Sequence, residues 1–119
     1  MAQACPVYVT ADFIGKRWTL LILLELSRVK GPMRYSGLKG RLAGITPKML
    51  SSRLRELEQR GLVDHAVDAS RVPIRSEYAL TGKGREFIPI IRSLRRWALA
   101  WESGTACAYR SCQQCPGLQ

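Results

Sequence analysis

The sequence is poor in acid, in histidine and in long apolar runs. Nine Asp and Glu stand against nineteen Lys and Arg, and His65 is the single histidine. There is no glycine-rich phosphate loop and no pair of carboxylates on an evident pocket wall, so the chain is not read as an enzyme. The longest apolar run, residues 20–24, is far too short to span a bilayer. The opening MAQAC lacks the charged start and apolar stretch of a signal peptide. A cytoplasmic protein is expected, with four cysteines mainly reduced and available as ligands or reactive thiols rather than locked in a disulfide framework. Internal repeats, low-complexity tracts and long linkers are also missing.

What is present is positive charge. A net charge of +10 and a pI of about 10.1 imply a polyanionic partner. The basic residues are spread through periodic segments rather than gathered in a tail or one amphipathic face, which disfavours a membrane surface. With 119 residues, 46% of them hydrophobic, the chain suits one domain with a real core. We place that domain at residues 1–103 and treat 104–119 as a cysteine-containing tail.

Residues 45–61 organise the rest. Thr46 can cap a helix, Pro47 suits its first turn, and Gly61 supplies a left-handed stop. Leu50, Leu54 and Leu57 form one apolar stripe. Lys48, Ser51, Ser52, Arg55 and Gln59 fall on the opposite side, with Glu56 and Glu58 toward its flanks. Such a face suits a DNA major groove, and it equally suits plain solvation. The remainder of the chain has to decide.

In chain order, Cys5-Pro6 opens a first helix over residues 7–14. A second, over 18–28, is apolar nearly all round and is expected to be buried on several sides. Gly31-Pro32 ends it, residues 33–35 are extended, and Ser36 can cap a third helix containing Leu38 and Leu42. Gly44 makes a tight turn into the helix over 47–60, completing a helix-turn-helix. Residues 62–67 and 76–80 read as paired strands, with 68–75 as a loop whose basic tip carries Arg71 and Arg75. The sum is a mainly α fold with a small β-hairpin wing, a winged helix-turn-helix. A wing lies along the neighbouring groove or backbone, where Arg71 and Arg75 could reach phosphates; the bland alternative is solubilising loop charge. His65, on a strand beside the wing, reads as incidental rather than as a ligand.

Thr81 is expected to cap one long helix over 82–103, with Pro89 bending it or falling in its early part. Phe87, Ile90, Ile91, Leu94, Trp97, Ala98 and Trp101 form a stripe wider than one intrachain contact needs. With the first helix, the stripe reads as a dimer surface through Ile91, Leu94, Trp97 and Trp101. Closure of the core alone is the alternative.

These pieces occur together in a known family. CP at 5–6, IGKRWTLLIL at 14–23, GPMRY at 31–35, GITPKML at 44–50, RLRELE at 53–58, GLV at 61–63 and EYALT at 77–81, with Trp97 near the end, follow one fixed order. Over about residues 5–98 the chain resembles the HxlR-type transcriptional regulators, a branch of the MarR-like winged-helix proteins. The resemblance implies a homodimer on a roughly palindromic operator. It implies a DNA side made of Arg34, Lys48, Ser51, Ser52, Arg55 and the wing arginines. The family's wing is similar to Pro-Pro-Arg where this chain has Pro73-Ile74-Arg75. Some members use the cysteine of the opening Cys-Pro to sense oxidants, electrophiles or aldehydes, and Cys5 holds that position. A plain buried cysteine is the other reading.

Outside the resemblance lies CAYRSCQQC at 107–115, a C-x4-C-x2-C run. With Cys5 as a fourth ligand, Cys107, Cys112 and Cys115 match the thiolate count and spacing of a plant-type [2Fe–2S] centre or a closed zinc site. A reversible disulfide, or free thiols without a role, remain open. The function expected is a sequence-specific regulator that binds double-stranded DNA as a homodimer and responds to redox or electrophile signals, with no membrane partner and no small-molecule substrate. The alternatives are a metal-stabilised RNA- or ribosome-associated basic protein and a winged-helix protein–protein module of a transcription complex. Selective duplex binding with a two-fold footprint separates the first from both.

Overall fold

In the computed structural model, which describes residues 5–102, Pro6 occupies the first position of α1 (Pro6–Ile14). Phe13 turns into the core and receives the Arg60 guanidinium over its ring at 4.2 Å. α2 (Thr19–Ser27) starts after Trp18, whose backbone is left-handed at φ 81°. Ile22 and Leu23 are fully enclosed and Leu26 nearly so, but Leu21 is exposed, so one side of α2 escapes the burial expected of it. Arg28 and Arg41 both close on the Glu25 carboxylate, at 3.0 and 3.6 Å, fastening the end of α2 to α3.

β1 (Met33–Arg34) leads into α3 (Tyr35–Arg41). That helix begins one residue before the Ser36 cap expected from the sequence, with Arg34 at its N-cap and no side-chain cap. Gly44, at φ 90°, turns the chain into α4 (Pro47–Gln59), where the Thr46 hydroxyl accepts from the Met49 amide at 3.1 Å. Leu50, Leu54 and Leu57 are at most 1% exposed, so the stripe read from the sequence is the core face of α4. Truncating Leu54 to alanine would cost about 2–5 kcal/mol, the range for a buried leucine.

β2 (Val63–Asp68) and β3 (Arg75–Leu80) pair antiparallel from Val63 opposite Leu80 to Asp68 opposite Arg75. Asp68 and Arg75 therefore belong to the strands, and the wing loop is shorter than expected. β1 adds to the free edge of β3, Met33 opposite Tyr78 and Arg34 opposite Glu77, giving the order β1-β3-β2. α3, the Gly44 turn and α4 form a helix-turn-helix, and the β2–β3 hairpin is its wing.

The final helix is two helices, which corrects the single span expected over 82–103. α5 (Gly82–Arg85) ends at Arg85, and α6 (Ile88–Trp101) carries Pro89 in its first turn. A proline has no amide hydrogen and its ring collides with the carbonyl four residues earlier, here that of Arg85. Restarting at Ile88 resets which residues face inward. Ile88 and Ile91 enter the core, whereas Ile90, Leu94, Trp97 and Trp101 stay exposed. α5 lies so close to the end of α4 that a Cβ on Gly84 would stand 2.2 Å from the Leu62 carbonyl oxygen.

Candidate nucleic-acid interface

On α4, Lys48, Ser52, Arg55 and Gln59 are exposed. Ser51 departs from the expected outward face: it is half-buried, with its hydroxyl 3.2 Å from that of Tyr35, which also donates to the Pro47 carbonyl at 3.0 Å. Tyr35 thus pins the first turn of α4 to α3, a role the sequence reading did not assign. The remaining charges on α4 hold it in place. Lys16 Nζ reaches Glu56 Oε2 at 2.8 Å, and Arg53 Nε donates to the Arg17 carbonyl at 2.9 Å. Glu58 stands 3.5 Å from His65 Nδ1. The helix keeps its acids in contact with basic groups and leaves lysine, serine and arginine outward.

Between the helix-turn-helix unit and the wing runs an open groove of about 830 Å³, with Ser51 as the α4 residue in its lining. Arg34, Tyr35, Ser36 and Ser51 line it together with residues 71–76 and Tyr78. Arg34, Arg71 and Arg75 meet here, and among the described residues no carboxylate lines the surface. The β1–β3 pairing, which brings Arg34 opposite Glu77, places Arg34 beside the wing. Arg75 sits at the base of β3 rather than at the loop tip, half-buried and 4.0 Å from Glu77. On the wing loop Val72, 99% exposed, and Ile74, 65% exposed, stand in solvent.

The wing turn is tied by Asp68. Its Oδ1 accepts from the Ser70 amide at 3.0 Å and from the Ser70 hydroxyl, and its Oδ2 meets Arg71 Nε at 3.2 Å. The Ser70 bonds, and then Arg71, hold the Asp68 carboxyl below the ordinary aspartate range. In the sheet, His65 stacks on Tyr78 with ring centroids 4.3 Å apart and planes 10° from parallel. Burial first, then the charge of Glu58 and the Tyr35 hydroxyl, push the Tyr78 phenol up. His65 is thus part of the packing between β2 and β3.

Val7 and Tyr8 of α1 and Ile90, Leu94, Trp97 and Trp101 of α6 present apolar surface to solvent. Ile91, read from the sequence as part of a dimer surface, is 7% exposed and packs within its own chain. Cys5 is exposed at the start of α1. Cys107, Cys112 and Cys115 lie outside the described residues. Among those residues no helix is long and apolar enough to cross a membrane.

Comparison with known proteins agrees with this architecture. Residues 13–105 match the model of the HxlR-like helix-turn-helix family. The uncharacterized HTH-type transcriptional regulator YvaP of Bacillus subtilis (strain 168) is 37% identical over 101 residues, covering 84% of this chain and 91% of its own. The reduced form of the B. subtilis transcriptional regulator YodB superposes with a TM-score of 0.72 at 31% identity, covering 87% of this chain and 100% of that one. The redox regulator HypR in its oxidized form superposes with a TM-score of 0.66 at 35% identity, covering 81% and 96%. The fold is thus shared with transcriptional regulators of known structure, and the chain belongs to the HxlR-like helix-turn-helix family of transcriptional regulators.

Proposed function

We propose that this regulator binds duplex DNA as a homodimer on a roughly palindromic operator, with α4 in the major groove and a phosphodiester strand in the groove between α4 and the wing. The observation that carries the reading is the meeting of Arg34, Arg71 and Arg75 in a groove that, among the described residues, no carboxylate lines. Such a channel matches a phosphate backbone, and contacts of that kind set register without reading sequence. Lys48, Ser52 and Arg55 face the bases, and Ser51, fixed by Tyr35, contributes a hydroxyl at the edge of the backbone channel. Leu94, Trp97 and Trp101, with Val7 and Tyr8 of α1, form the dimer face; an exposed apolar patch of this kind marks an interface. Pairing there sets two copies of α4 about 34 Å apart, one turn of B-DNA.

The same reading assigns Cys5 as the sensing thiol. It is solvent-exposed and begins a helix that borders the proposed dimer face, so its modification would act on half-site spacing. The structural neighbour HypR, described as a redox regulator, supports this assignment.

Sequencing the fragments that the purified protein enriches from genomic DNA tests the whole. A two-fold motif protected on one face of the duplex is expected, and Cys5→Ser should bind it without response to a thiol oxidant. Equal binding to random and genomic duplexes at physiological salt would overturn the reading in favour of a protein–protein module. Preferential retention of RNA would overturn it in favour of a ribonucleoprotein component.

A further inference from the structure

We propose that Val72 and Ile74, the apolar tip of the wing, read the deformability of the minor groove beside each half-site and so are determinants of specificity. The proposal rests on the DNA-binding reading above and adds to it a second kind of readout. Val72 is 99% exposed and Ile74 65%, although a hairpin loop needs only small or polar turn residues. Two branched aliphatic side chains held in water on the wing loop of a +10 protein offer apolar surface to an occupant.

Charge selects the occupant. Arg71 and Arg75 flank the tip in sequence, and Arg34 lines the same groove. A second copy of this basic surface is repelled there, whereas a polyanion with apolar walls is attracted. Duplex DNA has such walls in the deoxyribose edges of its minor groove. The geometry follows from the groove itself: with α4 on one side of a phosphodiester strand, the wing on the other side meets the adjoining minor groove.

The fit is tight. The minor groove of B-DNA is about 6 Å wide, and the two backbones of a hairpin are already about 4.8 Å apart before side chains are added. The tip enters only where the groove opens. Opening is easy at pyrimidine–purine steps and hard in stiff A-tracts, so the cost of entry depends on a sequence that no hydrogen bond contacts. Valine and isoleucine suit this role because short, branched apolar groups can brace an opened step without competing for base edges.

The test uses operators recovered by genomic enrichment. The step about half a helical turn outside each major-groove contact, roughly 5 bp away, is written either as TpA or as ApA. The wild-type protein should prefer TpA about five- to tenfold, within the range for one altered position. The exchanged variant V72I/I74V should keep the preference, and V72S/I74S should lose it. Thermal melts of the three proteins should coincide, because both side chains are outside the core. A wild-type protein indifferent to the step, or a serine variant that keeps the preference, overturns the proposal while leaving DNA binding intact. A serine variant changed in sedimentation but not in site preference also overturns it, making the tip a protein contact. A wild-type protein that selects no duplex at all overturns this proposal together with the reading beneath it.

Discussion

The hydroxyl of Thr81 donates to the backbone carbonyl of Gly61 at 2.6 Å, joining the end of α4 to the start of α5 across the whole wing. The same oxygen accepts from the Gly84 amide at 3.0 Å, and Lys83 Nζ reaches the Arg60 carbonyl at 2.6 Å. Helix ends leave carbonyls without intrahelical partners, and here residues that follow the wing supply those partners. Replacing Thr81 by valine should therefore cost about 1–2 kcal/mol, the loss of a cap and of a hydroxyl-to-carbonyl hydrogen bond. Thr81→Ser should recover most of it. Urea denaturation of the three proteins checks this, and equal midpoints would show that the clasp contributes nothing.

Base and phosphate contacts should separate by their salt dependence. Arg55→Ala should lower the preference for the operator over random duplex by about 1–3 kcal/mol, as loss of a base contact does. Arg71→Ala should weaken both duplexes alike and reduce the slope of log K against log salt by about one. Fluorescence anisotropy across a salt series distinguishes them. The assignments fall if Arg55→Ala flattens the slope and Arg71→Ala alters selectivity.

Leu94 is half exposed in the middle of the apolar face of α6. Leu94→Glu would set a charge against that face in a dimer while costing the isolated chain little. Equilibrium sedimentation should find wild-type dimer and mutant monomer, with operator binding lost although the basic face is unchanged. A wild-type protein that is monomeric at micromolar concentration would remove the interface.

Acid should loosen the wing turn. The Asp68 carboxyl titrates below its ordinary range, so its stabilising bonds are complete above that range and are lost as pH falls through the depressed value. An NMR titration should show the Ser70 amide shifting together with the Asp68 carboxyl, at a midpoint below that of an ordinary exposed aspartate. A midpoint at or above the ordinary value would mean that the turn is not held by this carboxylate.

What could be read in advance follows the range of the interactions involved. Leu50, Leu54 and Leu57, the Thr46 cap and the positive φ of Gly44 and Gly61 are local, and each stands where the sequence spacing places it. The β1–β3 pairing is two residues long and joins distant parts of the chain, so no periodicity announces it; with it went the convergence of Arg34 on the wing. Tyr35 fixes Ser51 through the same tertiary approach, which a helical wheel cannot show. Pro89 was visible, but a bend and a break have the same sequence signature. The break sends Ile91 into the core and leaves Leu94, Trp97 and Trp101 exposed.

The contact between Lys16 and Glu56 has a consequence for how the regulator finds its site. By pairing an acid on α4 away from the outward face, it leaves the excess positive charge of the chain less opposed on the helix that approaches the duplex. A protein carrying such a field is captured by any stretch of duplex and can slide or hop along it, so most of the search takes place along the polymer. Arrival at an operator then becomes faster when the operator is embedded in longer flanking DNA, and that advantage fades as salt weakens the nonspecific hold.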